Sequence, residues 1–298
     1  MSRRGLVLFA AMGVIWGLPY LLIKVAVRAM EPSVLVLART SIGAVLLLPI
    51  AIRRRELGSV VRRWKPMLAY TAIEIAGPWF LLSTAEKHVS SSLAGLLVSA
   101  VPLVGAVLAL AMRDAQEVDA RTLAGLVLGV AGVAVLVGLD VHGTDMAAVA
   151  MIGVVAVCYA VGPIILVRTL SDLPGLGVVA VSLAVCAAVY APIGAAQWPS
   201  HTPPARPLLA LVVLGVVCTA LAFILFFHLI AEVGPLRATV ITYVNPAVAV
   251  TLGVVFLHEK FKASTAVGFA LILGGSFLAT ALRRSPDAEP VVASIPEP

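Results

Sequence analysis

Apolar residues run in stretches of eighteen or more along nearly the whole chain, separated by short polar joints. A helix needs about 20 apolar residues to cross the hydrocarbon core of a bilayer. Ten segments meet that condition: 5–27, 34–52, 66–84, 90–112, 122–139, 146–167, 176–197, 207–230, 236–257 and 264–282. Helices are the elements expected of them, because in lipid only a helix or a closed barrel satisfies its own backbone. The alternating ten-residue strands of a barrel are missing from the pattern. The third segment, with Glu74 and Pro78, and the eighth, ending near His228, have the weakest edges. The opening Met1, Ser2, Arg3, Arg4 followed by an apolar run resembles a signal peptide, but the run reaches Ile23 and is flanked by Lys24 and Arg28. That length identifies a retained first helix.

The pattern repeats. A shift of 144 residues lays Pro19 on Pro163, Lys24 on Arg168 and Pro102 on Pro246. One residue off that register, the Gly-rich stretch from Gly125 to Gly132 meets the one from Gly268 to Gly275. The expected organisation is an all-α membrane protein: a first five-helix repeat over 1–143, a second over 144–284, and a disordered cytoplasmic tail over 285–298, rich in Pro and acid. Five is odd, so the second repeat enters the membrane from the opposite side. Inverted halves can exchange conformations and open a midplane site to one side and then the other.

Composition excludes the soluble alternatives. Apolar residues make up 61% of the 298, charged residues 12%, and the mean hydropathy is +1.08. The net charge of +6 sits in short clusters between apolar runs, with no continuous basic face for nucleic acid. With the N-terminus inside, 14 Lys and Arg fall in inner joints and 6 in outer ones, so the positive-inside rule puts both termini in the cytoplasm. Cys158, Cys186 and Cys218 lie singly in apolar runs and are expected as core residues, not as metal ligands or disulfides. No phosphate-binding loop, zinc-protease helix or aspartate-rich diphosphate motif occurs, and no metal or cofactor is expected.

Trp16-Gly17 with Lys24 ending the first helix, then Ala38-Arg39 in the second, resembles the opening of the EamA-type drug/metabolite transporters. A Pro in the fourth or ninth helix followed by a Gly-rich fifth or tenth is similar too. The stretch from Asn245-Pro246 through Glu259 to Gly274-Gly275 is the closest match. An acidic position that such proteins carry after the fourth helix is offset here, in 112–117. The resemblance implies a secondary carrier without enzymatic activity, exporting a small metabolite or drug-like solute across the inner membrane of a prokaryote.

The candidate site follows from the cost of polarity in lipid. A charge at the bilayer centre costs about 2.5–3.5 kcal/mol on insertion scales, so Arg39 and Glu74 are expected to face a cavity or a partner. Under the 144 shift they meet Leu183 and Cys218, so the site is built mainly by one half. Glu74 is a candidate for binding an amine or a proton, or else a polar anchor between helices. Lys24 and Arg28 either snorkel or, for Lys24 with Arg39, attract a substrate carboxylate. Arg39 and Glu74 together suit a zwitterion such as an amino acid. Trp16, Tyr20, Trp79, Tyr159 and Tyr243 are polar-tipped cavity or interface residues, and Asn245 offers an amide beside Pro246. Pro19, Pro102, Pro163 and Pro246 are hinge candidates. Gly13-xxx-Gly17 and Gly125-xxx-Gly129 allow close helix contact, within the monomer or in a homodimer. The expected partners are the solute, lipid and protons. An intramembrane enzyme and a receptor or assembly subunit are the competing readings.

Overall fold

The computed structural model describes residues 2–112, 120–138, 145–234, 238 and 240–280, and these are helical with no strands among them. The expected tail, the offset acidic segment and the join between the repeats lie outside the described residues.

In chain order the long helices are α1 (Arg3–Ala26) and α2 (Pro32–Arg53), then a short α3 (Leu57–Arg62). The third apolar segment is helical throughout but in three pieces: α4 (Trp64–Tyr70), a π turn over Thr71–Ala76, and α5 (Gly77–Ala85). The fourth is α6 (Ser91–Val98) and α7 (Val101–Ala111), parted at Ser99–Ala100 just before Pro102. Next come α8 (Ala120–Gly138), α9 (Met146–Thr169) and α10 (Gly175–Ala196). The eighth segment repeats the plan of the third, with α11 (Ala205–Gly215), a π turn over Val216–Leu221 and α12 (Ala222–Val233). Helices α13 (Ile241–Leu257) and α14 (Ala263–Thr280) are the last among the described residues. Among the described residues, seven helical runs are long and apolar enough to cross a membrane, and α13 and α14 are shorter apolar helices.

Local chemistry sets the ends. Ser2, Ser90 and Asp145 cap α1, α6 and α9, accepting from the free N–H groups of Gly5, Leu93 and Ala147. Pro32 opens α2, where its missing N–H costs nothing. Helix α12 runs past the expected end near Ile230 to Val233, where Gly234 at φ 82° stops it. His258 takes the left-handed φ of 55° after α13, and the Glu259 N–H then returns to the Gly253 carbonyl at 3.2 Å. That C-terminal turn is what aims Glu259 back along the helix.

Large apolar side chains stay exposed, Val45 at 70% and Val167 at 66% among them, which is the surface of a multi-pass membrane protein solvated by lipid. Inside, α2 lies along α10, α1 along α13, and α5 and α6 against α9. The tightest pair is α8 with α14: a methyl group placed on Gly275 would sit 2.4 Å from the Gly129 nitrogen, and one on Gly125 would sit 2.5 Å from that of Ala279. The Gly125-xxx-Gly129 pattern is therefore used inside the monomer. Gly13 and Gly17 likewise receive Val244 and Val248 of α13. The three cysteines are free, Cys186 and Cys218 fully buried.

Candidate functional site

Two π turns bring polarity to the interior. The turns start at Thr71 and Val216, 145 residues apart, so Glu74 and Thr219 occupy the same place within them. Thr219, not Cys218, is thus the counterpart of Glu74, one residue off the register expected from the prolines. A π turn widens the helix, weakens its hydrogen-bond ladder and is common at functional sites.

Arg39 projects from α2 into this region and is only 7% exposed. Its Nε donates to Thr219 Oγ1 at 2.9 Å, and its guanidinium carbon lies 3.7 Å from the centroid of the Trp79 ring. The aromatic face offers the cation a partner that needs no counter-ion. Thr219 Oγ1 donates onward to the Leu214 carbonyl at 2.8 Å. Glu74 is differently placed. Its Oε2 is buried without a hydrogen-bond partner, and it is accommodated because Gly162 faces it: a methyl there would lie 1.8 Å from Oε2. Among the described residues Glu74 forms no ion pair with Arg39. Tyr159 is within electrostatic reach of both and beside Trp79, where the two largest core clusters meet. Tyr20 is buried on the opposite flank, within reach of Tyr159 and Glu86.

A second polar assembly closes the end of the molecule where α1, α5, α6 and α13 converge. The Glu259 carboxylate accepts four hydrogen bonds from the first turn of α6: Ser91 N at 2.8 Å, Ser91 Oγ at 2.9 Å, Ser92 N at 3.0 Å and Ser92 Oγ at 2.5 Å. The helix N-terminus favours that negative charge. Gly253 makes room, since a methyl on it would approach Glu259 Oε2 and Ser92 Oγ at 2.4 Å. Lys24 Nζ donates to the carbonyls of Glu86 at 2.5 Å and Val89 at 2.7 Å. Its ammonium is therefore bound to a loop and does not snorkel. At the same end Ser33 donates to Gln197 at 2.5 Å. The contacts at the opposite end are more exposed. Arg63 forms a two-pronged pair with Asp172 at 2.8 Å, the side chains 45% and 58% exposed, and Ser2 bonds Glu232.

The remaining expected residues pack elsewhere. Trp16 packs tilted at 46° against Phe226 and meets Phe223 edge-on, with centroids 4.7 and 5.9 Å away. With its amide turned to satisfy its bonds, Asn245 Nδ2 donates to Ile241 O at 3.0 Å and Gly13 O at 3.1 Å, tying α13 to α1. Tyr243 is half-buried in the first turn of α13. Pro19, Pro163 and Pro246 lie within α1, α9 and α13, and Pro102 opens α7. A groove of about 370 Å³ is lined mainly by apolar residues, Leu96, Val250, Val254, Phe261 and Phe269, with Thr251 and Thr265. Its apolar walls suit a lipid chain better than a polar solute.

The EamA-like transporter family matches residues 3–138 and again residues 146–281. The chain belongs to the EamA-like transporter family. It is accordingly a multi-pass membrane transporter of the drug/metabolite type and not an enzyme. Similar proteins include the uncharacterized transporter YvbV of Bacillus subtilis, 24% identical over 91% of this chain and 90% of that one. The uncharacterized inner membrane transporter YedA of Escherichia coli is 26% identical over 96% and 93%. A solved crystal structure, 24% identical and covering 94% of this chain and 97% of its own, superposes with a TM-score of 0.66, a likeness of fold.

Four residues of this transporter's interior escape a reading of the sequence. Thr219 is an ordinary polar residue in an apolar run, and only the spacing of the π turns singles it out. Glu86 sits in a polar joint, yet has no exposed surface. Ser91 and Ser92 read as a helix start, and their role as a carboxylate cradle needs Glu259 brought from 167 and 168 residues away.

Proposed function

We propose that this EamA-like transporter is a secondary carrier that moves a small metabolite or drug-like solute by alternating access. The observation that carries the reading is the Arg39–Trp79–Tyr159–Glu74 group, a buried cation stacked on Trp79 and a carboxylate with one buried, unpartnered oxygen, both within electrostatic reach of one tyrosine. A zwitterion or amine, an amino acid for example, matches it: Glu74 takes the ammonium and Arg39 the anionic end. Lys24, Tyr20, Trp16, Tyr243 and Asn245 belong to the walls of the pathway. In this reading the chain crosses ten times, as two inverted five-helix repeats with hinges at Pro19, Pro102, Pro163 and Pro246, and the tail and both termini lie in the cytoplasm. The double family match supports it, as do the paired π turns 145 residues apart. Pairings of α2 with α10 and α8 with α14 map onto themselves when the halves are exchanged. The positive-inside count orients the Glu259 assembly outward. The outer closure is multidentate and half-buried, whereas the opposite ion pair is exposed and weak, so the form described is closed to the outside. The family resemblance supports export, and the likeness to the inner membrane transporter YedA of Escherichia coli supports an inner-membrane location.

Counterflow in proteoliposomes, screened with labelled amino acids, nucleobases and amphipathic cations, tests the reading. Saturable exchange of a zwitterion or amine, lost in Arg39→Ala and in Glu74→Ala, is expected. Binding without exchange would turn the reading into a receptor.

A further inference from the structure

Glu86 is the first residue after α5, in the outer joint, and none of its surface is exposed. Neither carboxylate oxygen has a hydrogen-bond partner. The Lys24 ammonium is next to it but is spent on two loop carbonyls, one of them Glu86's own. The charged and titratable groups around Glu86 are Tyr20 and Lys24 from α1, Arg39 from α2, and Glu259 from the joint before α14, with Tyr159 of α9 behind Tyr20. Its loop neighbours Lys87 and His88 turn away to Glu31 and Asp145. An ionised carboxylate in such a place would surrender its hydration and receive no donor in return, whereas the neutral acid surrenders far less. Glu259 opposes ionisation as well, and Lys24 and Arg39 favour it.

We propose that Glu86 is a proton-binding site whose occupancy keeps the outer side of the transporter closed. The neutral acid fits beneath the cover formed by Lys24, residues 86–90 and the Glu259 cradle. When the outer side loosens and water enters, the Glu86 O–H bond breaks and its proton leaves on water. The new carboxylate takes an N–H of Lys24, which releases the Val89 carbonyl and frees the loop. Closure takes a proton back from the same outer water, so Glu86 makes the outer closure respond to outside pH at a residue distinct from Glu74, with no net proton carried across the membrane. This inference rests on the alternating-access reading above.

The test uses the full chain with Cys158, Cys186 and Cys218 replaced by alanine and a reporter cysteine at Ala94, a fully buried position in the first turns of α6. An impermeant thiol reagent is applied from outside, and the labelling rate is divided by that of a cysteine at the exposed Ser200, which removes the reagent's own pH dependence. The corrected rate is expected to rise at least about tenfold between about pH 5.5 and about pH 8.5. In Glu86→Gln, which is permanently neutral, it stays slow and flat. A Glu86→Gln protein that keeps the parental pH response overturns the proposal. Should Glu86→Gln fail to fold, Glu86→Asp replaces it: a displaced midpoint is expected, and an unmoved one overturns the proposal. Glu259→Ala separates the two failures. If the parent is flat while Glu259→Ala labels rapidly, the outer closure exists and Glu86 does not control it. If neither labels, the alternating-access reading itself fails and the proposal falls with it.

Discussion

Deleting the Glu259 side chain weakens the outer closure by an amount that can be worked from its bonds. The carboxylate accepts four hydrogen bonds, two from backbone N–H groups and two from serine hydroxyls. Bonds to a charged group contribute about 1.5–3 kcal/mol each, or about 6 kcal/mol together at the low end. Glu259 is half-exposed, so water replaces part of what is lost, and about 3 kcal/mol remains as the net contribution. At about 1.4 kcal/mol per factor of ten, Glu259→Ala raises the open fraction about 100-fold. The readout is the labelling rate of the Ala94→Cys reporter from the outside, in protein shown by size exclusion to be folded. The double variant Ser91→Ala/Ser92→Ala keeps the two backbone donors. It should forfeit about half the contribution and raise the rate about tenfold. A Glu259→Ala protein that labels no faster than its parent refutes the reasoning, as does a double serine variant that labels faster than Glu259→Ala.

Other substitutions probe the interior. Arg39→Lys replaces a planar cation stacked on Trp79 with a compact one and should lower counterflow about 30-fold, equivalent to about 2 kcal/mol; unchanged flux would show that the stack is dispensable. In the Glu86→Gln background, Glu74→Gln should flatten the pH dependence of transport that remains, and Gly162→Ala, whose methyl displaces Glu74 Oε2, should give the same flattened profile with the glutamate still in place. A Gly162→Ala protein with the parental profile would dissociate the two. Gly275→Leu should prevent accumulation of folded protein, and Gly275→Ala should cost about 1–3 kcal/mol in detergent melting. Arg63→Ala removes an ion pair whose side chains are 45% and 58% exposed, so its melting temperature should stay close to the parent's.

The helices were legible in the sequence because one term dominates in lipid: apolar length. The expected segments 34–52 and 176–197 lie within two residues of Pro32–Arg53 and Gly175–Ala196. The charges Arg39 and Glu74 were legible for the same reason, since each defies its surroundings. What stayed hidden depends on geometry that composition does not encode. A π turn is a one-residue excess in a helix, and neither Glu74 nor Thr219 announces it locally. Glu86 is polar in a polar joint, and its burial comes from Lys24 folding the joint over it. Asn245 reads in the sequence as an amide beside a proline, and only the fold shows its N–H groups donating to Ile241 and Gly13 and so joining α13 to α1.

The glycine seam between α8 and α14 limits how the molecule can move. Backbone meets backbone at Gly125, Gly129, Gly132, Gly268 and Gly275, so sliding either helix by one residue would drive a side chain into a main chain. Such a seam behaves as a keel. It is stiff along its length and contributes no travel of its own. Any displacement that opens one end of the protein is left to the elements with looser or polar joints: the divided fourth helix at Ser99–Ala100 and the two widened turns at Thr71 and Val216. Spectroscopic distances measured across α8 and α14 should therefore stay constant through the cycle, which makes that pair the frame against which every other motion can be measured.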